Sequence, residues 1–186
     1  MTDGFFFGYG SLVNRQTHAY ADTSPATIRG WRREWRKSFA YGQTFLSVVP
    51  DASAQIDGLV ARVPGGDWGA LDLREAGYQR LPLPADQITT SRAVTAQIYA
   101  VAQEDSALPG QDAPVTLSYL DVVVEGFMTE FGAAGVARFF DSTTGWAAVL
   151  DDRTAPLYPR ARPVTMELRD MTDSYLDKLG VFRLRA

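Results

Sequence analysis

Cysteine is absent from the 186-residue chain, and histidine occurs once, at His18. The first absence excludes disulfides, thiolate zinc sites, iron–sulfur clusters and cysteine nucleophiles together. The second leaves no multi-histidine metal site, and a serine–histidine pair is possible only if it uses His18. No run approaches the ~18 apolar residues of a membrane-spanning helix, so no membrane partner is expected. The stretch from Met1 to Phe7 carries Asp3, no basic residue and only the short Phe5-Phe6-Phe7 apolar run, which is unlike an export signal. With no cysteine either, a cytoplasmic location is expected. Neither charge is in excess: 18 basic residues against 22 acidic ones give a net charge of −4. That balance provides no general attraction to nucleic acid or anionic lipid.

What is present is globular in composition. Hydrophobic residues make up 46% and charged residues 22%, which excludes wholesale disorder. The length suits a single domain over residues 1–186, burying about 70% of the surface its unfolded form exposes. Phe5 to Tyr9 reads as a buried strand that stops at a Gly10-Ser11 turn, with a short helix or loop over Val13 to Tyr20. Ala26 to Phe39 reads as a long strand. Phe45 to Val49 and Ile56 to Val63, separated by Pro50, Asp51 and Ser53, read as a hairpin. Asp67 is placed to cap a helix from Trp68 to Glu75. Tyr78 to Leu83 and Ser91 to Val101 are further strands, and Gln103 to Pro114 is a polar loop. Over Thr116 to Phe131, Leu117, Leu120, Val124, Phe127, Met128 and Phe131 form one apolar helical stripe. Gly132 closes that helix, and a second follows from Ala134 to Phe140. Beyond it lies a proline-containing tail ending in a weakly defined segment around Tyr175 to Leu184. Strands mostly precede helices, which predicts an α+β fold: a small mixed, largely antiparallel β-barrel or curved sheet with helices packed around it.

Three segments carry possible chemistry. Gly8-Tyr9-Gly10-Ser11-Leu12 ends a strand in glycine and serine, exposing successive N–H groups that could cradle a carboxylate or an oxyanion. Gly10 would let a ligand approach the main chain, with a positive φ as one way to do so. A plain strand-to-loop turn fits the same residues. In the Asp67–Glu75 helix, Trp68, Leu71 and Glu75 fall within about 60° of one another, which turns Glu75 inward. A carboxyl brought inside has a raised pKa and suits general acid–base work. A structural pair with Arg80 or Arg62 fits equally, with Arg74 pointing elsewhere and Asp72 at the edge holding a basic side chain. Trp31-Arg32-Arg33-Glu34-Trp35-Arg36-Lys37 interleaves basic and aromatic residues, as single-strand nucleic-acid binders do. The same pattern is a strand with Arg33 and Trp35 on one face and Arg32, Glu34 and Arg36 on the other, and in an acidic chain no nucleic-acid partner is expected. Asp151-Asp152 are two oxygen donors for a hard cation, beside an Arg153 that suits a salt-bridged turn better.

Phe7-Gly8-Tyr9-Gly10-Ser11-Leu12 resembles the N-terminal signature of the γ-glutamylcyclotransferase-like superfamily. Arg29-Gly30-Trp31-Arg32-Arg33 resembles its second strand, and Leu71 to Tyr78 the segment bearing its catalytic glutamate. Ser118-Tyr119-Leu120 is similar to the later helix whose tyrosine approaches the substrate. The resemblance runs to about Phe140 and takes in both the general and the ChaC-type, glutathione-acting branches. Where the ChaC-type branch usually has an arginine-glycine-threonine stretch and a proline-glycine pair, Phe39-Ala40-Tyr41-Gly42-Gln43-Thr44 stands here. The resemblance implies a cofactor-free enzyme acting on a small γ-glutamyl amide or peptide, whose α-amine attacks its own γ-carbonyl to give 5-oxoproline and a released amine or amino acid. It further implies that Glu75 shuttles the proton, that Tyr9, Gly10, Ser11 and Leu12 hold the glutamyl part, and that Tyr119 lines the substrate site. A non-catalytic small-ligand binder on the same fold is the alternative.

Overall fold

The computed structural model describes residues 4–185. Met1, Thr2 and Asp3, part of the N-terminal stretch read above, lie outside the described residues, as does Ala186. Strand β1 (Gly4–Gly8) is central because it is apolar on both faces: Phe6 and Phe7 point to opposite sides and both are buried. It pairs antiparallel with β3 (Thr44–Val63) and parallel with β6 (Ala96–Ala100). The long β2 (Ser24–Ser38) lies on the other side of β3, with β4 (Gln79–Leu83) beside β6 and β5 (Ile88–Thr90) beside β2. Two short strands, β7 (Ser106–Ala107) and β9 (Thr143–Thr144), also pair with β2. The resulting order β4-β6-β1-β3-β2-β5 leaves β4 and β5 as free ends, so the sheet curls as a half-barrel and does not close.

The hairpin expected around Pro50 is not there. Residues 44–63 form one strand, and the hairpin turn is instead at residues 39–43, between β2 and β3. Trp31 pairs with Pro50 and Arg29 with Gln55, so residues 51–54 bulge out opposite Gly30 alone. Asp51 accepts from the Ser53 N–H at 3.0 Å and hydroxyl at 2.7 Å. These are the bonds of a turn, used here to hold a bulge. The strand expected over Ser91 to Val101 is confined to Ala96–Ala100.

Helix α1 (Gly69–Arg74) packs Leu71 with Phe6, Leu12, Ala61, Val63 and Tyr99 on one side of β1. The other side holds the main core, into which α2 (Leu117–Asp141) delivers Leu117, Leu120, Val123, Val124 and Phe127. Each such side chain contributes roughly 1.5–3 kcal/mol when fully buried. Gly132, at φ 64° and ψ −170°, breaks α2 where the sequence places its stop, and the helix resumes beyond it. A second, all-parallel sheet of β8 (Val115–Thr116), β10 (Ala148–Asp151) and β11 (Phe182–Arg185) runs in the order β11-β10-β8. Helix α3 (Met166–Lys178) packs on α2. The sequence reading misses α3, although Thr165 caps it by accepting from the Leu168 N–H at 3.3 Å. Its buried stripe is Leu168, Thr172 and Leu176, and the polar middle member hides the periodicity. No helix among the described residues is long and apolar enough to cross a membrane.

Arg33 and Trp35 are fully buried, so neither can stack on an external base. On the opposite face of β2, Glu34 bonds Arg36 at 2.7 Å and Arg32 at 3.3 Å, a ladder of paired charges. Asp152 is no cation ligand: it is buried and accepts from the Ser118 N–H (2.8 Å), the Ser118 hydroxyl (2.5 Å) and the Leu157 N–H (2.8 Å). Arg153 forms a two-pronged pair with Asp121 at 2.7 and 2.8 Å and reaches Asp173 at 3.0 Å.

Candidate active site

The chain leaves β1 at Gly8 and enters a 3₁₀ turn over Ser11–Val13, closed by Val13 N–H to Gly10 C=O at 2.9 Å and Asn14 N–H to Ser11 C=O at 3.1 Å. A turn of that kind leaves the N–H groups at its start unused by the turn itself. Three contacts fix it. The Asn14 amide donates to the Val122 carbonyl at 2.9 Å and to Glu125 at 2.7 Å, tying the turn to α2. That approach requires Gly126, where a Cβ would meet the Asn14 backbone nitrogen at 2.7 Å. The buried Arg33 donates to the Tyr9 carbonyl at 2.9 Å while stacking on Phe127 and Phe139, at 4.8 and 5.3 Å from the ring centres. Burial lowers its pKa to about 9, and Asp57 opposes that shift.

His18 is the third fastening. Its Nδ1 accepts from the Tyr20 N–H at 3.2 Å, which assigns the proton to Nε2, 3.1 Å from the Leu12 carbonyl. Burial pushes its pKa down, against the raising effect of the Leu12 carbonyl. Both ring nitrogens are therefore engaged with main chain, and the ring is a brace for the turn, not a base for Ser11. Gly10 itself has φ −127°, so the positive φ considered above does not occur. Glycine is needed there for space: a Cβ would sit 2.7 Å from the Tyr119 hydroxyl and 3.2 Å from Leu46 Cδ2.

Glu75 follows the last residue of α1 and caps it, its N–H bonding the Leu71 carbonyl at 2.9 Å. The helix is shorter than expected, yet its pitch still turns Glu75 inward, with its side chain 16% exposed. Burial pushes the carboxyl above its ordinary range, against the pull of Arg74 and, more weakly, Arg160. Its ion-pair partner is Arg74, which turns back to it at 3.1 Å and does not point elsewhere. Arg74 is also held by the Thr17 carbonyl at 2.8 Å and hydroxyl at 3.2 Å. Arg80 instead pairs with Asp72 at 3.0 Å, and Arg62 with Asp22 at 2.6 Å.

Glu75 stands where two hollows meet. An inner recess of about 30 Å³ is lined by Tyr9, Gly10, Ser11, Leu12 and Tyr99. An outer cleft of about 410 Å³ is lined by Thr44, Phe45, Arg74, Tyr158 and Arg160. Ser11, Leu46, Glu75, Tyr78 and Tyr119 border both. Tyr119 comes from the first turn of α2. Its ring lies edge-on between Trp35 (6.0 Å) and Tyr158 (5.0 Å). Burial, then Tyr158 and Glu75, push its pKa up, so it remains a neutral donor. Tyr78 donates to the Leu46 carbonyl at 3.0 Å, and Tyr9 donates to the Tyr99 carbonyl at 2.5 Å. The Tyr9 phenol is thereby spent on the core, and its site contribution is the main chain it carries.

All six residues singled out in the sequence, Tyr9, Gly10, Ser11, Leu12, Glu75 and Tyr119, thus border one recess. Sequence reasoning passes over Arg74, Tyr78, Tyr158 and Arg160. Tyr78 sits within the segment noted around Glu75, whereas Tyr158 and Arg160 lie in the proline-containing tail, where no periodicity marks them. Among the described residues no group of three or more histidine, aspartate or glutamate side chains is arranged to hold a metal.

The sequence model of a family described as "Gamma-glutamyl cyclotransferase, AIG2-like" matches residues 6–117. No curated protein shows significant similarity to the sequence. Among solved structures, one named gamma-glutamyl cyclotransferase has a TM-score of 0.57 at 13% identity, covering 93% of this chain and 99% of its own. An uncharacterized protein from Homo sapiens is similar to the same degree, again with a TM-score of 0.57 at 13% identity and 93% and 99% coverage. YkqA from Bacillus subtilis has a TM-score of 0.57 at 15% identity, with 74% of this chain matched to 52% of that one. At these identities the likeness is one of fold.

Proposed function

The chain belongs to the γ-glutamyl cyclotransferase, AIG2-like family, and from that premise we propose that it converts a γ-glutamyl amide or peptide into 5-oxoproline and a free amine or amino acid. The observation that carries this reading is the Glu75 carboxyl, half-buried with its pKa raised, at the junction of a small recess and a large open cleft. The recess has room for about one water-sized group. That suits a single oxygen-bearing group of the glutamyl half, directed at the N–H groups of the Gly10–Leu12 turn. The rest of the substrate then lies in the cleft, bent back past Glu75.

In this reaction the substrate's α-ammonium gives one proton to Glu75 and becomes nucleophilic. Its lone pair forms the bond to the γ-carbon, and negative charge collects on the γ-oxygen, where a fixed donor lowers the barrier. Collapse breaks the bond to the departing nitrogen, which receives the proton from Glu75. The ring nitrogen's second proton leaves with the product, released as an ammonium. A carboxyl with a raised pKa is matched to both transfers. Because the attack is intramolecular, holding the substrate bent supplies a large share of the acceleration. The small-ligand-binder alternative predicts binding of γ-glutamyl compounds without product. A screen of γ-glutamyl amino acids, peptides and amines for 5-oxoproline tests the proposal: release from at least one supports it, and binding with no release from any contradicts it.

A further inference from the structure

Arg160 is a charged group that the reaction above leaves unused. It is exposed, lines the outer cleft but not the inner recess, and has no hydrogen-bond or ion-pair partner among the described residues. The other charges on the cleft wall are matched: Arg74 with Glu75, and Asp112 with Lys37. The segment that carries Arg160 is held from beneath. Buried Asp152 accepts from the Leu157 N–H at 2.8 Å, the Ser118 hydroxyl accepts from the Tyr158 N–H at 3.2 Å, and Ala161 N–H closes a turn onto the Tyr158 carbonyl at 2.9 Å. A free guanidinium on a fastened segment, facing a cleft whose other charges are paired, is arranged to receive an anion.

We propose that Arg160 is a specificity-determining residue that binds a carboxylate on the departing half of the substrate, so that the site prefers γ-glutamyl compounds that release an amino acid or peptide over those that release a simple amine. This inference rests on the cyclotransferase reading. With the glutamyl half in the recess and Glu75 at the junction, atoms farther out in the cleft belong to the leaving group, and its carboxylate lies two bonds from the leaving nitrogen. Placing an anion there also offsets the pull of Arg160 on Glu75, which favours proton uptake by the carboxyl.

The test compares γ-L-glutamyl-L-alanine with γ-L-glutamyl-L-alaninamide, which differ only in that carboxylate. The wild-type protein should favour the acid by about tenfold in kcat/KM, the scale of one charge-assisted hydrogen bond at an open rim. Arg160→Gln should bring the acid-to-amide ratio close to one, and Arg160→Lys should restore part of it. A wild-type ratio near one, or an unchanged ratio in Arg160→Gln, overturns this inference alone. Absence of 5-oxoproline from both compounds, and from every other γ-glutamyl compound screened, overturns the parent reading and this inference with it.

Discussion

Replacing Gly10 by alanine places a Cβ 2.7 Å from the Tyr119 hydroxyl oxygen and 3.2 Å from Leu46 Cδ2. The first contact is more than half an ångström inside ordinary van der Waals distance, and moving the ring away would disturb its edge-on packing against Trp35 and Tyr158. Overpacking of this kind costs about 1–3 kcal/mol. With a urea slope of about 2 kcal/mol/M, that is a midpoint shift of about 0.5–1.5 M. Making the same substitution with and without the hydroxyl isolates the crowding at Tyr119 from every other cost of a side chain at Gly10. Tyr119→Phe removes that oxygen, and the nearest remaining Tyr119 ring atom is then 3.9 Å away. Gly10→Ala in the Tyr119→Phe background should therefore cost at least 1 kcal/mol less than in the wild type, a coupling well outside the ~0.5 kcal/mol scatter of independent sites. Equilibrium unfolding in urea of the four proteins measures it. Additive costs would refute the close approach of the turn to Tyr119 on which the geometry of the recess depends.

Two further outcomes follow from named groups. Asp152→Ala leaves the Ser118 N–H, the Ser118 hydroxyl and the Leu157 N–H without their acceptor, and the cost should be about 3–5 kcal/mol by calorimetry or urea unfolding. A cost under 1 kcal/mol would mean the 152–160 segment is not anchored there. The second concerns pH. Since burial raises the folded-state pKa of Glu75 above its ordinary 4.5, the folded protein holds that proton more tightly than the unfolded chain, and stability is lost as pH rises from about 4.5 through the raised value. Glu75→Gln removes that dependence, so its melting temperature should gain on the wild type as pH rises through this window. A constant difference across the window would contradict a raised pKa.

The parts of the site that the sequence reveals are those fixed by local chemistry. An aromatic strand ending in Gly10-Ser11 specifies both a buried β1 and its turn, and apolar spacing followed by Gly132 specifies the two halves of α2. Glu75 is legible as inward because Leu71, one turn earlier, must face the core. The remainder depends on distant partners. Pro50, Asp51 and Ser53 carry the same turn chemistry in a bulge as in a hairpin, and only the pairing of β2 with β3 decides between them. Arg74 turns back to Glu75 because Thr17, 57 positions earlier, anchors its other nitrogens. Tyr158 and Arg160 reach the cleft because Asp152 and Ser118, on different elements, fasten their segment. An isolated stretch such as Tyr158-Pro159-Arg160 has no spacing that could announce this.

The proposed reaction depends on Glu75 carrying the proton. Glutamine keeps its shape and can still accept a hydrogen bond from Arg74, which retains both Thr17 bonds, so Glu75→Gln should fold with little loss of stability. It cannot take a proton from an ammonium. On one preparation, with a γ-glutamyl compound that the wild type turns over, the rate of 5-oxoproline formation and the melting temperature are measured together. The expected outcome is a folded protein whose turnover falls roughly 10²–10⁴-fold. A well-folded Glu75→Gln protein with near wild-type turnover would contradict it.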